Sequence, residues 1–222
     1  LPSMHRSLAL PAAAASAHGA TLAELPDGRV VCAWFAGSRE GASDVAIWMA
    51  SFEQNAWSSP RLIVDRTLIS QATLTHVRKL GNPVLFSQGN TLHLWVVSAG
   101  IGGWAGSAIN HLQSTDGGVN WSAPRRLQTS PFLNISTLVR SPPLALADGG
   151  LGMPVYHEFI GKHGEWLRFD PTGRLIDKAR LAQAVPALQP SAVALNGQHA
   201  LALLRDAGNE GKIRVATTES AG

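Results

Sequence analysis

The sequence is poor in cysteine and in charge. One cysteine among 222 residues excludes a disulfide framework, a zinc ribbon or finger and a cysteine-ligated iron–sulfur cluster. Only 15% of the residues are charged, the 18 Lys and Arg form no run, and the net charge is +3. The clustered basic patch typical of nucleic-acid-binding proteins is therefore not expected. The sequence has neither a Gly-rich phosphate loop nor clustered metal ligands, so we expect no metal and no other cofactor.

Long apolar runs are also lacking. No segment reaches the ~20 consecutive apolar residues that a membrane-spanning helix needs, so no membrane span is predicted. The Ala-rich stretch 8–17 resembles the apolar part of a signal peptide, but it contains Pro11 and leads directly into a strand-like segment. We therefore interpret it as mature sequence.

Glycine and proline, with 22 and 13 residues, are abundant and separate short runs of Val, Ile, Leu, Trp and Ala. Turn-forming groups recur between two such runs, at Pro26-Asp27-Gly28, Gln88-Gly89-Asn90, Asp148-Gly149-Gly150 and Asn196-Gly197. Asp-Gly and Asn-Gly fit the positive φ angles of two-residue hairpin loops. The pattern predicts four β-hairpins and little helix.

The four turns recur at intervals of roughly 50–60 residues, which is the period of a propeller blade. Each hairpin is followed by a second pair of strand-like segments, and four strands make one blade. We therefore predict one all-β domain, a β-propeller with blades at 16–66, 78–128, 138–182 and 187–222, the last of them incomplete. A β-sandwich of short strands is the alternative.

The second repeat contains the pattern Ser-x-Asp-x-Gly-x-x-Trp, formed by Ser114, Asp116, Gly118 and Trp121. This pattern is typical of the Asp-box of sialidase-type propellers. The aspartate is predicted to accept hydrogen bonds from turn amides, the glycine to adopt a strained φ, and the tryptophan to pack between sheets. A degenerate copy ends at Trp57, and residues 218–222 read as half of another copy.

On these residues the chain resembles bacterial sialidase-like proteins with Asp-box (BNR) repeats. The resemblance extends over nearly the whole chain and is carried by the segments 18–21, 24–28, 33–41, 44–48, 81–86 and 154–158. It implies a six-bladed propeller, of which about four blades are present and about two would be missing after residue 222. It also implies a glycoside hydrolase that removes a terminal acidic sugar from glycoconjugates with retention of configuration.

Polar residues fall at the same phase of each repeat, at the start of the innermost strand and near the loop between the second and third strands. In an up-and-down sheet these positions share one face, opposite the hairpin turns and the Asp-box. The candidate site residues on this face are His18, Arg39, Glu40, Asp44, Asn82, Trp104, Arg140, Tyr156, Glu158, Gln189 and Arg205.

Arg39, Arg140 and Arg205 are the candidates for a carboxylate clamp, because a planar guanidinium binds a carboxylate through two hydrogen bonds. The resemblance supports this assignment, since sialidases bind the sialic acid carboxylate with three arginines and Arg140-Ser-Pro is similar to their Arg-Ile-Pro signature. The alternative for each arginine is a solvated charge or an ion pair with Glu40, Asp44 or Asp206.

Other candidates are predicted to contact the sugar. His18 stands where sialidases have their first arginine, and it is predicted to act as a base or as a hydrogen-bond donor; a strand-edge histidine is the alternative. Trp104, in a Gly-rich loop, can stack on a sugar ring or pack between blades. Glu40, Asn82 and Gln189 complete the predicted substrate-binding set.

Three residues are candidates for the catalytic chemistry. By family position Asp44 resembles the sialidase acid/base aspartate, with a turn cap as the alternative. Tyr156 and Glu158 are two residues apart and share one face of a strand, so the carboxylate can take the phenol proton. In sialidases the nucleophilic tyrosine and its glutamate come from different blades. Glu158 therefore resembles the sialidase glutamate better than Tyr156 resembles the sialidase nucleophile. In the alternative interpretation, Tyr156 lines the pocket or packs in the core.

The predicted partner is a carbohydrate, anionic because of the arginines. Two other functions remain open. One is a lyase for uronic-acid polymers, in which His18 or His157 removes the C5 proton while an arginine neutralises the carboxylate. The other is a non-catalytic carbohydrate-binding propeller.

Overall fold

A computed structural model describes residues 7–130, 135–181 and 186–218. Consecutive segments of the chain form four antiparallel sheets. The predicted turns at Asp27-Gly28 and Asp148-Gly149 connect paired strands of the first and third sheets, and both glycines have a φ of +84°. None of the described helices is long and apolar enough to cross a membrane.

The first sheet has five strands, and its last two both pair with the third. The strands are β1 (Ser16–Glu24), β2 (Val30–Gly37), β3 (Ala46–Glu53), β4 (Ala56–Trp57) and β5 (Arg61–Val64). A short helix, α1 (Arg66–Thr73), follows. The Asp65 carboxylate caps it by accepting a hydrogen bond from the Leu68 amide at 2.8 Å.

The other three sheets have the same up-and-down order. The second contains β6 (Lys79–Gln88), β7 (Thr91–Gly100), β8 (Gly103–Ser114) and β9 (Arg125–Arg126). The third contains β10 (Leu138–Val139), β11 (Leu144–Ala145), β12 (Leu151–His157), β13 (His163–Phe169) and β14 (Leu175–Arg180). The fourth contains β15 (Ala187–Ala194), β16 (Ala200–Asp206) and β17 (Ile213–Thr218).

The innermost strand of the third sheet is divided, because β10 and β11 both pair with β12. The residues between them include Pro142 and Pro143, which have no amide hydrogen to donate to a neighbouring strand.

The hydrophobic cores lie between sheets. One core joins the first two sheets, with Ile47 packed among Leu85 and Leu94. Another joins the second, third and fourth sheets and includes Trp95 and Leu188. Since the second sheet contributes to both cores, β7 is buried on both faces, which explains why most of its residues are apolar.

A β-bulge recurs in the innermost strand of three sheets. The pairing register shifts between His18 and Thr21, between Gly81 and Val84, and between Leu188 and Ser191. Positive φ angles occur within these bulges, +43° at Asn82 and +52° at Gln189. Bulges change the direction of a side chain, and these two polar side chains leave the regular alternation at the same end of their strands.

The structure therefore confirms an all-β propeller with four blades in the part of the chain that it describes, and the β-sandwich alternative is wrong. Helix α1 was not predicted. The six-bladed count stays a prediction. The predicted end of the third blade at residue 182 and the half motif at 219–222 lie outside the described residues.

Candidate active site

A cleft with a volume of about 170 Å³ lies at the end of the sheets that carries the bulges. All four sheets and their loops contribute to it. Six of the predicted site residues line it, namely Glu40, Asn82, Trp104, Tyr156, Glu158 and Gln189. The remaining lining residues are Phe35, Gly41, Leu80, Gly81 and Leu138. Residues at equivalent positions of the repeats thus lie in one cleft, although they are up to 149 residues apart in the sequence, from Glu40 to Gln189.

Tyr156 lies at the end of β12 and is only 2% exposed. Its hydroxyl accepts a hydrogen bond from Asn82 Nδ2 at 3.2 Å and is also hydrogen-bonded to Gln189. Burial, and then the nearby Glu158 carboxylate, raise the pKa of Tyr156, while Gln189, Asn82 and the charge of Arg140 oppose the increase. The phenol is therefore protonated at neutral pH, and a base is needed before its oxygen can attack.

Glu158 follows β12 and is half-buried. Its backbone amide donates a hydrogen bond to Ser136 Oγ at 2.8 Å. Ser136 is fully buried and has a φ of +51°, an angle that most side chains disfavour. This strained serine, which the sequence analysis did not identify, holds the backbone at Glu158.

Arg140 and His18 lie beside the cleft. A Cβ placed on Gly19 would lie 3.5 Å from Arg140 Nη1, so the guanidinium lies against a residue that has no side chain. The His18 ring stacks on Phe35 with a centroid distance of 5.6 Å, and its Nε2 is 3.0 Å from Ser16 Oγ. Phe35, a cleft wall that the sequence analysis missed, therefore connects His18 to the cleft.

Trp104 belongs to the cleft and to the core at the same time. It lines the cleft, and it also packs against the core shared by the second, third and fourth sheets. A Cβ on Gly81 would approach Trp104 Cη2 to 3.3 Å. Both predicted roles, a sugar platform and packing between blades, are compatible with this position.

Asp44 is not among the residues that line the cleft. Its carboxylate accepts hydrogen bonds from the Ser38 amide and hydroxyl, both at 2.9 Å. These two bonds, with a smaller contribution from Arg39, hold the pKa of Asp44 below its usual range. The carboxylate thus organises the loop between β2 and β3, as in the turn-cap alternative, and its role as proton donor stays a prediction.

Arg39 and Arg205 are not among the residues that line the cleft. Arg39 lines a neighbouring groove. Arg205 is an exposed residue of β16, paired in register with Leu188 and Ile213. The adjacent Asp206 binds Arg214 at 3.1 Å, and Arg205 is therefore a solvated charge, one of the two alternatives considered for it, rather than the ion-pair partner of Asp206. The structure places only Arg140 of the three candidate arginines next to the cleft tyrosine.

The Ser114–Trp121 turn lies at the opposite end of the sheets, next to the hairpin turns at Asp27 and Asn90. Asp116 accepts hydrogen bonds from the Asn120 amide, the Asn120 side chain and Ser114 Oγ at 2.7–2.9 Å. These bonds lower the pKa of Asp116 to about 2. Gly118 has a φ of +88°, and Trp121 is partly buried against the first core.

This turn also joins two blades. Arg61, on β5 of the first sheet, donates hydrogen bonds to the carbonyls of Gly118 and Val119. The turn therefore has a structural function, remote from the cleft.

Comparison with known proteins gives a consistent result for the fold. The family model described as "BNR repeat-like domain" matches residues 28–222. A protein of unknown function from Dyadobacter fermentans is similar in structure, with a TM-score of 0.74 and 15% identity over 93% of this chain and 66% of that chain. The NanB sialidase from Streptococcus pneumoniae has a TM-score of 0.71 and 14% identity over 94% of this chain. No curated protein matches the sequence.

Other glycoside hydrolases share the architecture. A family 117 glycoside hydrolase from the marine bacterium Zobellia galactanivorans has a TM-score of 0.64 and 10% identity, over 93% of this chain and 70% of that chain. The present chain spans 50% of the length of the NanB chain. At these identities the structural matches show the fold alone.

Proposed function

The chain belongs to the BNR repeat-like domain family, and from this premise we propose that it is a sialidase-like glycosidase that removes a terminal acidic sugar, sialic acid or a related one, from glycoconjugates. Solved structures with the same fold include sialidases and other glycoside hydrolases. The six-bladed ring implied by the resemblance is part of the proposal. The four described blades already supply the cleft.

The observation that carries the proposal is the group formed by Tyr156, Glu158 and Arg140. A buried phenol has a carboxylate and a guanidinium close enough to shift its pKa in opposite directions. A nucleophile with an adjacent base, next to a cation that can bind a carboxylate, is the combination needed for cleaving an acidic glycoside.

In the proposed reaction Arg140 binds the sugar carboxylate, and Asn82 and Gln189 orient the Tyr156 hydroxyl. Glu158 takes the phenol proton while the phenolic oxygen attacks the anomeric carbon. The glycosidic C–O bond breaks as a C–O bond to Tyr156 forms, and the leaving oxygen takes a proton from Asp44. Water then hydrolyses the sugar–tyrosine bond: Asp44 takes a proton from the water, and Glu158 returns its proton to the phenolic oxygen of Tyr156.

The proton-donor step requires a change at Asp44, because its two hydrogen bonds to Ser38 favour the ionised form. Substrate binding must loosen these bonds or desolvate the carboxylate, since either change raises the pKa of an acid. The loop between β2 and β3 is therefore the part of the site expected to move during turnover.

A fluorogenic sialoside tests the proposal at about pH 5–7, where a general acid of this kind operates. The protein should release the fluorophore, and Glu158→Gln should lower kcat by at least about 100-fold. Glu24→Gln, an exposed carboxylate on β1 outside the cleft, is the matched control and should keep the wild-type rate. The proposal is rejected if the folded protein gives no release above buffer, or if Glu158→Gln remains fully active.

The lyase alternative keeps one supporting observation, the position of His18 on the cleft wall residue Phe35. A lyase would convert a uronic-acid polymer into an unsaturated product with near-ultraviolet absorbance, which hydrolysis does not give. A non-catalytic propeller would bind the sugar without turning it over, and Glu158→Gln would therefore cause no loss of turnover.

A further inference from the structure

A second groove, of about 460 Å³, adjoins the cleft. We call it the basic groove because Arg39, Arg66, Arg78 and Lys79 line it, together with His76. Its other lining residues are Gly41, Ala42 and Ser43, so no carboxylate is among them. Four of the 18 Lys and Arg of the chain thus meet in one groove of a protein whose net charge is only +3.

These four cations have no ion-pair partner in the part of the chain that the structure describes. The ion pairs there involve other residues. Three carboxylates lie close to these cations in the sequence: Asp44 binds Ser38, Asp65 caps α1, and Glu40 lines the adjoining cleft. Gathering like charges without counter-charges raises the local positive potential, which attracts an anionic ligand.

Hydrogen-bonded backbone holds three of the four cations, Arg66, Arg78 and Lys79, in place. Arg66 begins α1. The segment before β6 is fixed by hydrogen bonds from the Val77 amide to Ser70 Oγ at 3.2 Å and from the Arg78 amide to the Ala99 carbonyl at 2.9 Å. A ligand that binds there meets cations whose backbone is already positioned, which lowers the ordering entropy lost on binding.

The groove is continuous with the cleft. Gly41 lines both, and a Cβ at that position would lie 3.6 Å from Lys79 Nζ. Lys79 and the cleft residue Asn82 lie three residues apart on β6, a separation of about 10 Å along a strand. A short oligosaccharide can span that distance, so one ligand can occupy both places.

We propose that the basic groove is a subsite for a second anionic group of the substrate, a carboxylate or sulfate ester on a sugar beyond the terminal one. This inference rests on the proposed function for one point, that the terminal sugar occupies the cleft. It defines the substrate class more narrowly, because the substrate is then an acidic oligosaccharide chain with charge on both sides of the cleaved bond.

Isothermal titration calorimetry with the 222-residue protein tests the subsite without requiring turnover. The probes are a chondroitin sulfate tetrasaccharide, the unsulfated chondroitin tetrasaccharide, which carries carboxylates only, and a neutral chitin tetrasaccharide. Comparing the first two distinguishes sulfate from carboxylate as the preferred anion. At least one acidic probe should bind more tightly than the neutral probe, and its affinity should fall as salt is added.

The Arg78→Gln/Lys79→Gln variant should bind the preferred acidic probe about five- to thirty-fold more weakly, as expected for two partly exposed charge contacts. Arg66 lies on α1, away from Arg78 and Lys79 in the sequence. Arg66→Gln should also weaken binding of the acidic probe, and it replaces the double variant as the test if that variant does not fold. Lys162→Gln/Lys212→Gln removes the same charge from exposed positions outside the groove and should bind like the wild type.

The subsite is refuted if the groove variants bind the acidic probes as the wild type does, or if the neutral probe binds equally well. It is also refuted if a single-stranded oligonucleotide of equal charge binds more tightly, which would make the groove a nucleic-acid site. Loss of sialoside turnover with retained, groove-dependent binding of an acidic probe would reject the proposed function and leave the subsite standing.

Discussion

The contact between the Ser114–Trp121 turn and its neighbours predicts different effects for two glycine substitutions. Gly118 has a φ of +88°, and an added Cβ would lie 2.6 Å from Met49 Cε and 3.3 Å from Leu92 Cδ2. Gly28, in the β1–β2 hairpin, has a φ of +84°, and an added Cβ would meet nothing within 4 Å. Alanine therefore introduces the same backbone strain at both positions, but steric overlap only at Gly118.

The magnitudes follow from these two terms. A left-handed backbone angle costs an L-residue about 1–2 kcal/mol, which is the whole loss of unfolding free energy expected for Gly28→Ala. Overpacking a filled site adds about 1–3 kcal/mol, so Gly118→Ala should lose about 2–5 kcal/mol. The Met49 side chain can move aside more easily than backbone can, which places the expected loss in the lower half of that range.

Urea unfolding followed by tryptophan fluorescence measures both variants, with the free energy obtained by linear extrapolation. If the two alanine variants lose the same unfolding free energy, Gly118 has no packing role between the blades. A larger loss for Gly28→Ala would exclude that role as well.

Three further predictions follow from the described contacts. Burial, with smaller contributions from His93 and Arg125, lowers the pKa of His111 to about 3. Between about pH 6.5 and 3 the unfolded chain therefore binds a proton at His111 that the folded chain does not bind. The free energy of unfolding should fall as the pH drops through this range. His111→Phe should flatten that decline, seen in urea midpoints at about pH 7 and 5, and an equally steep decline would count against it. Ser136→Ala removes the hydroxyl that accepts from the Glu158 amide and should lower kcat more than it raises KM, whereas a change in KM alone would exclude a positioning role. Tyr156→Phe should abolish turnover while the fold is kept, and an active variant would show that Tyr156 is not the nucleophile.

The architecture is largely readable from the sequence because local chemistry determines it. Gly28 and Gly149 each follow an aspartate in a turn and have a positive φ, and the apolar runs between such turns are too short for helices. The period of these turns then predicts blades. Helix α1 was not predicted because only one of its eight residues, Ile69, is buried. A single buried residue gives no helical period of apolar residues that could be recognised in the sequence.

The sequence predicts part of the cleft's membership, six of the eleven proposed residues, but not its geometry. Repeat phase identifies Glu40, Asn82 and Gln189, because equivalent positions in an up-and-down sheet face the same end. The direction of each side chain depends on bulges and loop conformations that arise from tertiary packing. For that reason Arg39 lines the basic groove instead of the cleft. The contact between Ser136 and the Glu158 amide was likewise not predictable from the sequence.

Comparing the binding of N-acetylneuraminic acid with that of its uncharged methyl ester measures whether the cleft recognises an acidic sugar through Arg140. The free acid should bind at least about tenfold more tightly than the ester, a difference of about 1.4 kcal/mol. Arg140→Met should remove that preference. Equal binding of the acid and the ester, or a preference that survives in Arg140→Met, would contradict the account.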